Sequence, residues 1–351
     1  VSAESMISAL TYEHKPVGDV NVGLTWLPEG ANKHYLDSYL MLDDEQVVMA
    51  SGSLKGDSLH VDADVVEFPM RVADVFIPEG MVNFLGQLNG SLQLRGVTDK
   101  PRVNGEVSMN GGSIVAKQAG ATYRLDNRPV TITANQMVLN DFSIYTTSDN
   151  PFVVKGVVDF RDLSNPSAVL SLRADNYTLL DAPKTRESLL FGKIFVDMNA
   201  TIRGPLTGLV MRGQMNVLGD TNATYVMANS PLTVEDRLDG LVTFVSFNDT
   251  LSNARDEQNA MSLGGLDMNM TVHIDDAVRL RANLTTDGSK YVELQGGGDL
   301  NMLYTPQGDM SLTGRYTLTG GTMKYSLPII PLKEFAFTQG SYVDWRGDIM
   351  N

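Results

Sequence analysis

The sequence predicts an almost all-β chain, a long sheet curled so that a greasy face turns inward, and three observations predict it. Apolar and polar side chains alternate with a period of two in segment after segment. Turn-forming residues separate those segments at short, fairly even spacing, and helical periodicity is scarce.

Residues 1–85 read as an N-terminal strand module with a short helical connector, Val65 to Phe76, "VVEFPMRVADVF". From Pro101 onward the alternation is explicit. Val103, Gly105, Val107 and Met109 oppose Asn104, Glu106, Ser108 and Asn110, which is a strand wetted on one side only. A second helical candidate, Leu179 to Phe195, "LLDAPKTRESLLFGKIF", precedes the next strand series. There Val196, Met198, Ala200 and Ile202 alternate with Asp197, Asn199, Thr201 and Arg203, and Met211, Gly213, Met215 and Val217 with Arg212, Gln214 and Asn216. Further on, Leu266, Met268, Met270, Val272 and Ile274 form one apolar stripe and Val278, Leu280, Ala282 and Leu284 another. Near the end, Leu312, Gly314, Tyr316 and Leu318 oppose Ser311, Thr313, Arg315 and Thr317. The stretches "RGVTDKP", "RGPLTG", "IDDA", "TTDGSK" and "TPQGD" between these segments are turn chemistry and fit hairpins in a meander.

A loose internal repeat underlies the pattern. The stretch from Gly90 is echoed from Val196 and again from Gly297, with Gly105, Gly213 and Gly314 in equivalent places. The modules expected are 1–85, 86–195 and 196–351, joined in one elongated body.

So many one-sided strands create an apolar face that must leave water, and helices are too few to cover it. The face therefore meets another sheet or curls on itself, as a sandwich, β-helix, barrel or open half-pipe. Its expected liners are Val103, Val107, Met109, Met198, Ile202, Met211, Met215, Met268, Met270, Leu312 and Leu318. These side chains are small or flexible, and aromatics make up only 7% of the chain, which leaves room for a groove wide enough for an acyl chain. A methionine-rich sandwich core satisfies the same periodicity, which does not separate the two.

Composition excludes several function classes. A net charge of −15 opposes binding to a phosphate backbone, so nucleic acid is not an expected partner. With no cysteine there are no disulfides, thiolate metal sites or Cys nucleophiles. His14, His34, His60 and His273 stand singly, never at metal-ligand spacing. "QGGGDL", with glycines at Gly296 to Gly298, lacks the context of a phosphate loop and reads as a bulge or tight bend in the sheet. No Gly-x-Ser-x-Gly elbow occurs. No catalytic residue, metal or cofactor is expected. The Asn-x-Ser/Thr sequons at Asn176, Asn199, Asn222, Asn269 and Asn283 read mostly as outward strand residues. The apolar runs 240–247 and 326–332 are far shorter than the ~18 residues of a membrane-spanning helix. A start at Val1 without Met reads as a fragment whose anchor lies outside it.

A family resemblance adds to this reading. From Gly86 the chain runs as a strand bounded by Gly90 and Gly96, a turn with Pro101, a strand centred on Gly105, then Tyr123 and the aromatic pair Phe142 and Tyr145. The last stretch carries Gly314, Tyr316, Gly320, Tyr325, Phe335, Phe337, Gly340, Ser341, Trp345 and Gly347 in order. This grammar resembles the C-terminal region of the TamB family, of the AsmA-like group. The resemblance implies an elongated antiparallel β-taco, a half-pipe with an apolar interior and a few short helices. It implies a periplasmic position in a Gram-negative envelope, anchored in the inner membrane, and work in outer-membrane protein assembly and secretion with an Omp85-type outer-membrane partner. It further implies kinship with bridge-like proteins that carry phospholipid between membranes. The expected function is a non-catalytic scaffold whose apolar interior shields lipid acyl chains or nascent outer-membrane β-strands. A structural or adhesive cell-surface β-repeat protein is the alternative from another class, and a carbohydrate-active β-helix enzyme would need converging carboxylates on the polar face.

Overall fold

The computed structural model describes residues 1–12, 14–30, 32–76, 82–185, 188–227, 265–327 and 330–348. The apolar run 240–247 lies outside the described residues. The chain divides into two compact units, one of Val1–Lys117, Thr122–Leu172 and Arg203–Leu206, the other of Gln118–Ala121, Arg173–Ile202 and Thr207–Asn351.

In the first unit the strands β1 (Ser2–Tyr12), β2 (Lys15–Pro28), β3 (Lys33–Leu42), β4 (Glu45–Lys55), β5 (Ser58–Pro69), β6 (Val82–Val97) and β7 (Lys100–Ala116) follow one another as an antiparallel meander. Beyond β8 (Ala121–Leu125), β9 (Val130–Thr133) pairs with β7, β10 (Gln136–Tyr145) with β9, and β11 (Phe152–Asp159) with β10. Strict alternation aligns the apolar residues of successive strands into lateral rows. One row crosses ten strands from Ala3 through Leu24, Ser38, Ala50, Ala63, Leu92, Gly105, Ile132 and Met137 to Val158. Its middle is buried, at Ala63 and Ile132, and so are Val61 in the row on one side and Val130 in the row on the other.

The second unit holds most of β12 (Ser167–Ala182) and β13 (Leu190–Pro205), then β14 (Val210–Val217), β15 (Asn222–Val226), β16 (Asp267–Ile274), β17 (Arg279–Asn283), β18 (Tyr291–Tyr304), β19 (Met310–Leu327), β20 (Ile330–Ala336) and β21 (Tyr342–Asp348). Here the expected antiparallel, open half-pipe with a few short helices is corrected. β14 pairs with β16 and β15 with β17 in parallel. The neighbours β13, β15, β17, β18, β16 and β14 close into a ring of six strands, to which the remaining strands attach as sheet. Period-two alternation fixes which face a residue takes but not the direction of its neighbour, so a parallel pair reached by a long connection is invisible to it.

The "IDDA" stretch, expected to reverse the chain, instead interrupts it: Asp275, Asp276 and Ala277, with Val278, lie between β16 and β17, and residues 218–221 form a second interruption between β14 and β15. Arg279 donates its N–H to the Thr221 carbonyl and Gly296 to that of Val278, so these interruptions remain tied into the sheet. Thr221 and Val278 are almost fully buried there.

Both predicted helices are also corrected. Val65–Pro69 completes β5, where Val65 faces Gly90 and Phe68 faces Leu88, and only Met70–Phe76 turns, as a 3₁₀ segment. The Leu179–Phe195 stretch contains the end of β12 and the start of β13. Partners across the ladder override a local helical pattern when the segment enters a sheet. At the glycine run, expected to be a bulge or tight bend, the β18–β19 register shifts between Gln295 and Gly296, but the extra residue is Thr319 on β19, and Gly296, Gly297 and Gly298 pair in register with Leu318, Thr317 and Tyr316.

Candidate functional site

The residues of the second unit expected to line a groove fall into rows. Met211 on β14 stands opposite Met268 on β16, which faces Tyr304 on β18. The next row runs Gly213, Met270, Met302, Leu312, and the one after it Met215, Val272, Leu300, Gly314. Leu318 lies further along β19, opposite Gly296. On β13, Met198 and Ile202 flank Ala200, against which Gly213 is packed so closely that a Cβ on Gly213 would lie 2.5 Å from the Ala200 Cα. Met270 and Leu318 are buried, and the other liners of this unit are half-buried.

The remaining three liners belong to the first unit. Val103 faces Leu94, Val107 stands between Gly90 and Val130, and Met109 faces Leu88. All three are half-buried. Sequence reasoning missed Leu300, Met302 and Tyr304, which fill the β18 places in the second unit's rows. Their alternation was readable in "DLNMLY", but the glycine run immediately before it hides the strand that they complete.

One predicted strand has its polarity partly inverted. Leu280, expected inward, is 37% exposed, and Asn283, expected outward, is 2% exposed. Asn283 accepts a hydrogen bond from Arg281 Nε at 2.9 Å, and the Arg281 guanidinium stacks 3.6 Å above the Tyr291 ring. A satisfied amide is buried at little cost, so this polar cluster holds the place that alternation assigned to an apolar side chain.

Polar chemistry lies elsewhere. His273 is on the wet face, 2.8 Å from Asp299. Carboxylates that the enzyme alternative would need to converge are tied singly to arginines: Asp62 to Arg95, Asp159 to Arg161, Asp267 to Arg212 and Asp344 to Arg315. Those arginines hold Asp159 and Asp344 below the ordinary carboxylate range through side-chain hydrogen bonds. Among the described residues no group of three His, Asp or Glu side chains is placed to hold a metal. Two pockets in the first unit, of about 360 and 320 Å³, are lined by residues such as Asp64, Ser91 and Glu106 in one and Asp126, Arg128 and Phe142 in the other. Neither includes a liner.

Tyr316 departs from the pattern of greasy liners. It lies on the same face of β19 as Leu312 and Leu318, is 2% exposed, and packs edge-on against Trp345 with ring centroids 6.3 Å apart. Its hydroxyl is buried without a hydrogen-bond partner among the described residues. Burial, with a smaller contribution from the Asp276 charge, pushes its phenol up to about 12.

Comparison with known proteins gives one family. A model described as the TamB C-terminal domain matches residues 140–351. Searches of curated proteins and of solved structures give no match.

Proposed function

The chain belongs to the TamB C-terminal domain family, and from that premise we propose that its methionine-rich rows shield apolar cargo in the aqueous periplasm. Family membership makes it a non-catalytic, envelope-associated scaffold and a periplasmic TamB-family domain. Among the described residues no helix is long and apolar enough to cross a membrane. The finer reading concerns what the scaffold handles. Acyl chains of phospholipid, or nascent outer-membrane strands, lie along the half-buried Met211 and Met215 of β14, in work shared with an Omp85-type partner and from an anchor in the inner membrane.

The observation that carries this reading is the register. Methionines from three strands, with Tyr304 and Leu312 beside them, form adjacent rows on one face while Arg212, Gln214 and His273 occupy the other. Methionine suits such a surface because its unbranched, polarizable side chain adapts to cargo of varied shape.

A photo-crosslinking residue placed at Met215 in the protein in its native envelope tests the proposal, with Arg212 on the opposite face as the control. Crosslinks to phospholipid or to outer-membrane polypeptide at Met215 and not at Arg212 are the expected result. Crosslinks only within the chain, or equal yields at both positions, overturn it.

A further inference from the structure

The 3₁₀ segment Met70–Phe76 follows β5, precedes β6, and lies against both β6 and β2. In the meander β2 stands three strands away from β5, so the segment reaches back past β4 and β3 to meet it. It closes the end of the sheet at which β2 begins, β3 turns into β4, and β5 gives way to β6. Met70 and Val75 are buried there, and so are Leu42 and Val47 near the β3–β4 turn.

Among the described residues no backbone hydrogen bond ties the segment to a strand. Its polar ties run through side chains and sort into two groups. On the β6 side the Asp74 carboxylate accepts the Phe84 N–H at 2.7 Å. On the other side Arg71 pairs with Asp43 in the β3–β4 turn and donates to the Val17 carbonyl of β2 at 3.1 Å, while Lys15 of β2 donates to the Val75 carbonyl at 3.3 Å. Arg71 and Asp43 are each nearly half exposed, and an exposed ion pair is weak and screened by salt.

The strand leading into the segment is already loosened. The β5–β6 register shifts between Val65 and Phe68, Glu67 takes a φ of 51°, and the pairing ends at Pro69. The chain itself and the Asp74 bond keep the segment with β5 and β6, whereas its contacts with β2 and the turn can part without breaking a ladder pairing. Asp43 stays in place when they do, since its Oδ1 accepts the Asp19 N–H at 2.8 Å.

We propose that Met70–Phe76 is a strap, hinged at β5 and β6 and latched by Arg71 and Lys15, that swings off β2 as a unit and uncovers the apolar end of the first unit's sheet. A segment held by side chains alone opens at a lower free energy than the laddered strands beneath it. The strap touches none of the methionine rows, so the inference stands apart from the shielding reading.

The chain has no cysteine, so one introduced thiol reports opening by its rate of alkylation with iodoacetamide. In the whole chain the thiol of Val75→Cys is compared with that of Val61→Cys, a buried position on a strand paired on both sides. The Val75→Cys thiol should react at least about tenfold faster, and added salt should speed it without affecting Val61→Cys. Asp43→Asn and Arg71→Met, each combined with Val75→Cys, should accelerate the reaction by about two- to fivefold. Asp43→Asn keeps the oxygen that holds the Asp19 N–H, and loss of a neighbouring cation in Arg71→Met would by itself slow a thiol, so acceleration reports opening. Equal rates at the two thiols overturn the proposal, because Val75 would then be exposed only when the whole sheet unfolds. Acceleration shared by Val61→Cys, which marks global destabilisation, also overturns it, as does a Val75→Cys rate that ignores salt and both latch variants.

Discussion

Met270 on β16 and Met302 on β18 stand directly opposite one another, with Leu312 completing the row on β19 and Gly213 leaving its other flank free of a side chain. Met270 is 1% exposed, so it serves packing, whereas Met215 and Met211 are half-buried and are the residues that the proposed shielding role would use. Met270→Ala should therefore cost about 2–5 kcal/mol in denaturant unfolding, through lost transfer energy and the cavity left behind. Met270→Asp, which buries an unpaired carboxylate, should cost more and lower the yield of folded protein. Met215→Asp should keep its β-sheet circular dichroism and lose function in an envelope-integrity assay. Full function in that variant would remove Met215 from the lining.

Gly213 gives a second prediction. Its φ is not in the left-handed region, so an added methyl would be conformationally acceptable, yet the Cβ would fall 2.4 Å from the Asn199 carbonyl oxygen. Gly213→Ala should destabilise by about 1–3 kcal/mol because the obstacle is backbone that cannot turn aside. Gly320→Ala is the control, since its Cβ would meet nothing within 4 Å. A melting temperature that falls for both equally would show that glycine entropy, not close strand approach, sets the effect.

Much of this arrangement is legible in the sequence, and the limits have physical causes. Alternation placed Val103, Met215 and Met270 on apolar stripes because side-chain direction in a strand depends only on parity. The repeat placed Gly105, Gly213 and Gly314 in equivalent positions, and in the structure a Cβ at any of them would collide with backbone of the neighbouring strand. Strand direction is a property of the connection, so neither the parallel Met211–Met268 pairing nor the closed ring of six strands could be read from parity. Local pattern also failed at Val65–Phe76, where the β5–β6 ladder captured residues with helical spacing. The inversion at Leu280 and Asn283 arises from bonds to Arg281, which alternation does not encode.

Asp126 governs a pH response. Its carboxylate is 9% exposed and accepts hydrogen bonds from the Arg128 backbone N–H at 2.9 Å and from Arg128 Nε at 2.7 Å. Burial raises its pKa, but the Arg128 hydrogen bonds and charge outweigh that, and the net shift is downward. A carboxylate with a lowered folded pKa adds stability that is complete above the unfolded value near 4 and disappears as pH falls through the folded value. Asp126→Asn should lower stability at pH 7 by about 1–3 kcal/mol, with a difference from the parent that shrinks below pH 4. A difference that stays constant from pH 7 to pH 2 would assign the loss to geometry and not to ionisation.

Tyr316 makes the opposite kind of prediction, in which removal of a polar atom stabilises. An unpaired buried hydroxyl costs roughly 1–3 kcal/mol, and Tyr316→Phe deletes it while keeping the ring against Trp345. The variant should unfold at higher denaturant, by up to about that amount. The alkaline limb separates this effect from simple repacking. Below the unfolded phenol value near 10 the ring is neutral in both states, and the neutral form is the one that the folded protein accepts. Between that value and the folded one of about 12 the unfolded chain ionises first, so the parent loses stability as pH rises and the phenylalanine variant does not. Urea titrations of both proteins from pH 8 to about 11 should therefore diverge above pH 10. Parallel curves would mean that the Tyr316 hydroxyl has a partner in solution and that its burial is already compensated.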